Sequence, residues 1–202
     1  MTNRVTATII LMTAMLMDLM DSTITNVALP AISTDLGATP TQLEWTLVGY
    51  VVAFATLLIT GGRLGDIYGR KRIFLVGVIG FTCASVFASL AWSGNALITA
   101  RIIQGAFAGV MVPQVLSSVQ VMYAPEERGP VFGIIGSLNA LGVITGLLLG
   151  GWLVTANLFG TGWRSIFLIN VPVGIVLTVM AFLCIPESRS EHPLRLDLTG
   201  SA

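Results

Sequence analysis

Six long, mostly apolar stretches follow one another along this chain, and their number and length constrain its fold more than any other feature. A helix that crosses a bilayer needs about 20 such residues. The expected spans are residues 5–29, 42–62, 73–92, 97–122, 131–154 and 166–185, the first stopped by Pro30 and the last closed by Pro186. Barrel strands would alternate apolar and polar residues. Runs such as Ile73 to Gly80 are apolar on every side, and a helix satisfies its own backbone as hydrocarbon demands. The expected fold class is therefore all-α: one membrane bundle of six transmembrane helices.

Composition agrees. Charged residues make up 10% of the chain and hydrophobic ones 54%, with mean hydropathy +0.88. A soluble domain carries about 25% charged residues because water must wet its surface. The formal net charge is zero, so no field draws the chain to nucleic acid. Cys83 and Cys184 sit inside apolar runs with no thiol or imidazole nearby in sequence, so they read as small apolar residues rather than a disulfide or a metal pair. Arg4 followed by Thr8 to Met17 has the look of a signal peptide. No clear small-x-small cleavage site follows, however, and the apolar run continues to Pro30, so the segment reads as a retained helix.

The charges sort themselves between spans and connections. Only Asp18, Asp21 and Arg101 fall clearly inside spans. The second connection holds Arg63, Arg70, Lys71 and Arg72, the fourth Arg128, and the tail Arg189 and Arg195, while Arg4 precedes the first span. The first connection carries Asp35 and Glu44 with no basic residue, Ser93 to Asn95 carries no charge, and the fifth has only Arg164. Positive charge marks the cytoplasmic side, so both termini are expected there.

An ionisable group within a span is costly and points to function. Asp18 and Asp21 are three residues apart and share a helix face. Two carboxylates on one face resist being charged together, which suits reversible protonation; the competing reading is that one of them only lines a watery cavity mouth. At about 1.5 Å per residue, Asp21 lies roughly 24 Å above the start of the first span and Arg101 about 6 Å below the start of the fourth. Both then sit at comparable depth in the outer half of a core roughly 30 Å thick. The expected coupling is Arg101 with Asp21, and with Asp18 second. The alternative is that Arg101 snorkels to the headgroups. With one bundle alone, the face bearing Asp18 and Asp21 is expected to lie open to lipid. Gly105 and Gly109, and Gly142, Gly146 and Gly150, form small-xxx-small steps that let helices approach closely.

The segment Gly62-Arg63-Leu64-Gly65-Asp66-Ile67-Tyr68-Gly69-Arg70-Lys71-Arg72 resembles the loop between helices two and three of the major facilitator superfamily, with Gly65 where alanine is usual. That resemblance implies a conformational latch on the cytoplasmic side made by Gly62, Asp66, Gly69, Arg70 and Lys71; the plainer reading is a topological anchor alone. Asp66 and Arg70 would share a face if the stretch were helical. Asp21 to Pro30 resembles the corresponding stretch of the fourteen-helix drug:proton antiporter branch (EmrB/QacA type), with Met20 and Thr25 as departures. Arg101-Ile102-Ile103-Gln104-Gly105 is similar to the R-x-x-Q-G motif of proton-coupled facilitators. Gly133, Gly142, Gly146, Gly150 and Gly151 match the glycines of the exporter antiporter motif, but Leu147 replaces its proline, which removes the expected kink. Trp163 to Gly174 resembles the segment that opens helix six, where Asn170 and Pro172 are expected to loosen the helix. The resemblance further implies two inverted three-helix repeats and a cavity lined by Asn26, Gln104 and Asn170. His192 reads as a solvated tail residue.

The implied activity is proton-coupled efflux of hydrophobic or cationic drugs and toxic compounds, conferring antibiotic resistance, from a bacterial inner membrane. The coupling energy would be the proton motive force, with no cofactor and no metal. No nucleophile–base pair lies within the spans, so an enzyme is not expected. Transporters of this family are more than twice as long. Residues 1–187 would be the N-terminal bundle and 188–202 a cytoplasmic tail, in which Asp197-Leu198-Thr199-Gly200 resembles the lead into a next helix. The expected partners are the lipid bilayer, small-molecule substrates and a C-terminal transporter half. The alternative is a truncated, non-transporting fragment or an interaction partner of a full transporter.

Overall fold

A computed structural model describes residues 4–157 and 160–188. The helices are α1 (Arg4–Leu36), α2 (Pro40–Tyr68), α3 (Arg70–Ser89), α4 (Gly94–Met122), α5 (Pro125–Ala156), α6 (Ser165–Leu168) and α7 (Asn170–Cys184). A 3-10 turn at Gly162–Arg164 leads into α6, and Gly162–Cys184 together form the sixth of six segments long and apolar enough to cross a membrane. Among the described residues the architecture is wholly helical. The tail expected from residue 188 lies, beyond Ser188, outside the described residues, as do Arg189, His192, Arg195 and Asp197.

Local chemistry sets where the helices start and stop. Thr39 and Gln42 cap α2 reciprocally, with Pro40 as its first residue. The Ser93 hydroxyl accepts from the Ala96 amide, 3.2 Å away, at the start of α4. The helices overrun the expected spans. Pro30 does not end α1: its ring deprives the Asn26 carbonyl of a partner, yet Ile32 beyond it is fully buried, and that packing carries the helix on. The turn comes at Gly37, at φ +59. Likewise Gly62 to Tyr68, expected as loop, continue α2, and the chain turns at Gly69 with φ +104, a conformation side chains rarely adopt. In the sixth span Pro172 offers no amide to the Leu168 carbonyl, and the helix is interrupted at Ile169.

Small residues set the packing. Gly105 and Gly109 of α4 lie directly on the backbones of Tyr50 and Phe54 in α2, and Gly61 of α2 lies on the backbone of Gly109. Gly142, Gly146 and Gly150 of α5 receive Leu19, Thr23 and Val27 of α1. Gly133 and Gly151 touch nothing of the kind and take no part in this groove. With leucine at 147, half exposed, α5 runs on without a break.

Two main apolar cores result, beside a smaller third cluster of Met12, Val119 and Ile135. Along α1, Ala7, Ile10, Leu11, Ala14 and Met17 belong to one, with Phe74, Phe81 and Met111; Ile24, Ala28 and Ile32 belong to the other, with Leu97, Trp163 and Phe167. Asp18 and Asp21 fall between them. The outer faces expose large apolar side chains such as Val51 and Ile59 of α2, Leu148 and Trp152 of α5, and Phe182 and Leu183 of α7. So much contiguous apolar surface suits hydrocarbon, not water.

Gly105→Leu should drive α2 from α4, since its new Cβ would meet the Tyr50 backbone rather than a yielding side chain. Overpacking of this kind costs about 1–3 kcal/mol. The thermal unfolding midpoint of the chain in lipid nanodiscs should fall, while Gly151→Ala leaves it in place. Equal midpoints would mean the close approach is dispensable.

Candidate functional site: a buried polar cluster between the two cores

Five helices contribute to one polar cluster. Asp21 of α1 and Arg101 of α4 are each 1% exposed and paired at 2.5 Å, through Oδ2 and Nη1. The other carboxylate oxygen of Asp21 accepts from Gln104 Nε2 at 3.0 Å and from Asn170 Nδ2 at 2.6 Å. Gln104 Oε1 accepts from Arg101 Nη1 at 2.6 Å. Ser85 of α3 ties the amides together, accepting from Gln104 at 2.8 Å and Asn170 at 3.3 Å. From α2, the Thr46 carbonyl accepts from Arg101 Nε at 3.5 Å, and the Tyr50 ring lies 4.2 Å from the guanidinium carbon. Phe167 lies at 5.7 Å. The Tyr50 hydroxyl donates to Asp18.

The physical logic is compensation. A buried ion pair repays its desolvation only when further hydrogen bonds satisfy the remaining lone pairs and protons. Asp21 has three donors, and Arg101 has two side-chain acceptors, a carbonyl and two aromatic faces. The interrupted sixth span contributes by placing Asn170 at the start of α7, in reach of Asp21. Arg101 does not snorkel: it is sealed inside. Nor do the carboxylates lie open on an outer face, as expected for a lone bundle. The face of α1 that bears them turns toward α2, α4 and α7.

Gln104 and Asn170 thus join the cluster, and Asn170 also lines an apolar cavity with Leu16, Met17, Met20, Ile24 and Val173. Asn26 does not join: it is exposed and donates to the Ser22 carbonyl. Sequence reasoning missed Ser85, Thr46 and Tyr50. Their one signal was a polar atom within a span. Among the described residues no group of His, Cys, Asp and Glu is placed to hold a metal.

A second cluster lies at the α2–α3 turn. Asp66 and Arg70 are paired at 2.7 Å although Gly69 breaks the helix between them. Glu187, just after α7, was not foreseen. It accepts from the Lys71 amide at 3.2 Å and lies 3.6 Å from Arg72 Nε, while the Ser188 carbonyl accepts from the Arg70 amide at 3.0 Å. Lys71 Nζ donates to the Phe182 carbonyl at 2.7 Å. A side chain on Gly69 would run into the Glu187 carboxylate. A Cβ at Gly62 would meet Pro113 at ordinary van der Waals distance. Gly65, the departure from the usual alanine, has a local reason. The Gln114 amide of α4 fills the space a Cβ would need, donating to the Gly61 carbonyl at 2.7 Å.

The family model described as Major Facilitator Superfamily matches residues 11–200. A probable actinorhodin transporter of Streptomyces coelicolor is 47% identical over 96% of this chain and 33% of its own length. The puromycin resistance protein of Streptomyces alboniger is 37% identical over 96% of this chain and 38% of its own length. The fold resembles the inward-facing, unoccupied crystal structure of a bacterial homologue of the human lysosomal transporter Spinster, with TM-score 0.79, 22% identity, and 96% of this chain against 46% of that one. The chain belongs to the major facilitator superfamily and is a multi-pass membrane protein. It spans about a third of the length of the curated relatives it matches.

Glu187→Ala removes one of the acceptors that join α3 to the end of α7, its carboxylate, and leaves the Asp66–Arg70 pair intact. With Cys83 and Cys184 replaced by serine, a cysteine introduced at Ser188 should react with maleimide roughly 2- to 5-fold faster in that variant, as loss of partly exposed hydrogen bonds and ion pairs implies. Identical rates would show that the contact holds nothing in place.

Proposed function

We propose that this member of the major facilitator superfamily supplies the N-terminal bundle of a proton-coupled exporter of hydrophobic or cationic compounds, of the fourteen-helix drug:proton antiporter branch. The observation that carries the reading is the sealed Asp21–Arg101 pair with Asp18 one turn away. A charge pair inside a membrane bundle is expensive to keep, and such groups mark ion and proton pathways. The relatives named for an antibiotic transporter and for puromycin resistance favour export of such compounds.

In this reading a carboxyl group of the cluster takes up and releases a proton. Neutralising it alters the balance of charge about Arg101 and so biases the equilibrium between conformations. The stretch Gly62, Asp66, Gly69, Arg70 and Lys71 latches the cytoplasmic side, and Gly142, Gly146 and Gly150 provide the groove on which α5 bears against α1. The groove works without the kink that a proline at Leu147 would bring. No cofactor is required, since the proton motive force supplies the energy. The chain sits in a bacterial inner membrane with both termini cytoplasmic. It works with a C-terminal half, because substrate paths in such folds run between two bundles. The exposed apolar faces of α2 and α5 are available to such a half. A product that lacks one would instead be a non-transporting fragment or a partner of a full transporter.

The test is efflux from a drug-sensitive bacterial host expressing the reading frame that carries this sequence. Asp21→Asn should lower uphill efflux at least about 10-fold, the equivalent of some 1.4 kcal/mol, with the protein still in the membrane. Undiminished, proton-dependent efflux would reject the role of the Asp21–Arg101 pair in coupling. Efflux absent from the unaltered reading frame would favour the fragment.

A further inference from the structure

Asp18 and Asp21 share a helix face but not an environment. Asp21 is held by Arg101, Gln104 and Asn170. Asp18, 7% exposed, has one donor among the described residues, the Tyr50 hydroxyl. The same side chain stacks against Arg101, with the guanidinium carbon 4.2 Å from the ring centroid. Asp18 and Arg101 share no hydrogen bond, and the Tyr50 side chain bridges them, bonded through its hydroxyl to one and stacked through its ring on the other. Its backbone is fixed as well, because its carbonyl lies against Gly105 of α4. A phenol held in this way cannot answer to one neighbour without the other sensing it.

We propose that Tyr50 is a positioning residue that transmits the protonation of Asp18 to Arg101. The inference rests on the proton-exchange reading above. With Asp18 ionised, the phenol O–H donates to the carboxylate, and the ring stays beneath the guanidinium. When Asp18 binds a proton, an O–H bond forms on its own oxygen and Tyr50 keeps its hydrogen. The carboxyl then becomes a donor as well as an acceptor, and the charge-assisted bond from the phenol gives way to a weaker neutral one. The weaker bond loosens the hold on the ring that lies against Arg101, which remains paired with Asp21. Of the two carboxyls, Asp18 is the one placed to exchange the proton. Binding a proton at Asp21 would break up three donor contacts, whereas at Asp18 it redirects one. The titratable and charged groups around Asp18 are Asp21 on its own helix, Tyr50 from α2 and Arg101 from α4; α7 brings the neutral Asn170.

Infrared difference spectroscopy of the chain in lipid nanodiscs tests this without transport. Stepping the pH should reveal a protonated-carboxyl band that Asp18→Asn removes. In Tyr50→Phe, which keeps the ring and loses the hydroxyl, the midpoint of that band should move by about 1 pH unit or more, the size of one lost hydrogen bond to a charged group. In the unaltered chain, carbon-13 NMR of labelled tyrosine should show one of the three tyrosines changing with the Asp18 midpoint. An Asp18 band with the same midpoint in Tyr50→Phe, or tyrosine signals that ignore pH, would overturn the role of Tyr50 and leave proton exchange standing. A spectrum with no band that depends on Asp18 would overturn proton exchange at this residue, and the inference with it.

Discussion

The ion pair between Asp21 and Arg101 organises this bundle. Each charge alone costs about 2.5–3.5 kcal/mol at the centre of a membrane helix by insertion scales. Joined, and supplied with donors and acceptors from Gln104, Asn170, Ser85 and Thr46, they form a neutral polar plug between two apolar cores. The plug draws on α1, α2, α3, α4 and α7. It therefore fixes how far each helix is rotated about its own axis, which apolar packing in lipid does only weakly.

Glycine makes the pair reachable. Ordinary helix axes stand about 8–10 Å apart, depending on the side chains at the contact. Gly61, Gly105 and Gly109 bring α2 and α4 into backbone contact, so that Tyr50 and Thr46 come within reach of Arg101. On the other side Gly142, Gly146 and Gly150 draw α5 against α1. α5 gives the cluster no polar group. Its service is to close the outer side of the helix that carries both aspartates.

Depth was legible in the sequence and rotation was not. Counting residues from the ends of two spans placed Asp21 and Arg101 at one level, because rise per residue is a fixed property of a helix. The spans themselves followed from hydropathy, and the break near Asn170 from the missing amide of Pro172. But a run that is apolar on every side gives no azimuth. Hence the aspartate face was expected to lie open, whereas α2, α4 and α7 close over it. Tyr50, Ser85 and Gln114 were hidden for the same reason: a single polar atom in a span shows that it needs a partner, not which one. Glu187 was missed because its partners lie far away in sequence, on α3. The overrun of α1 past Pro30 reflects packing of Ile32 that outweighs one lost backbone bond.

The central claim is that the Asp21–Arg101 pair holds the bundle together. A double-mutant cycle on the thermal unfolding of the chain in nanodiscs, with Asp21→Asn, Arg101→Gln and both together, measures it directly. Each single change should destabilise strongly, by about 3–5 kcal/mol, because it strands a buried charge. The double variant should recover much of that loss. Strictly additive effects would contradict the account, since they would mean that neither charge senses the other.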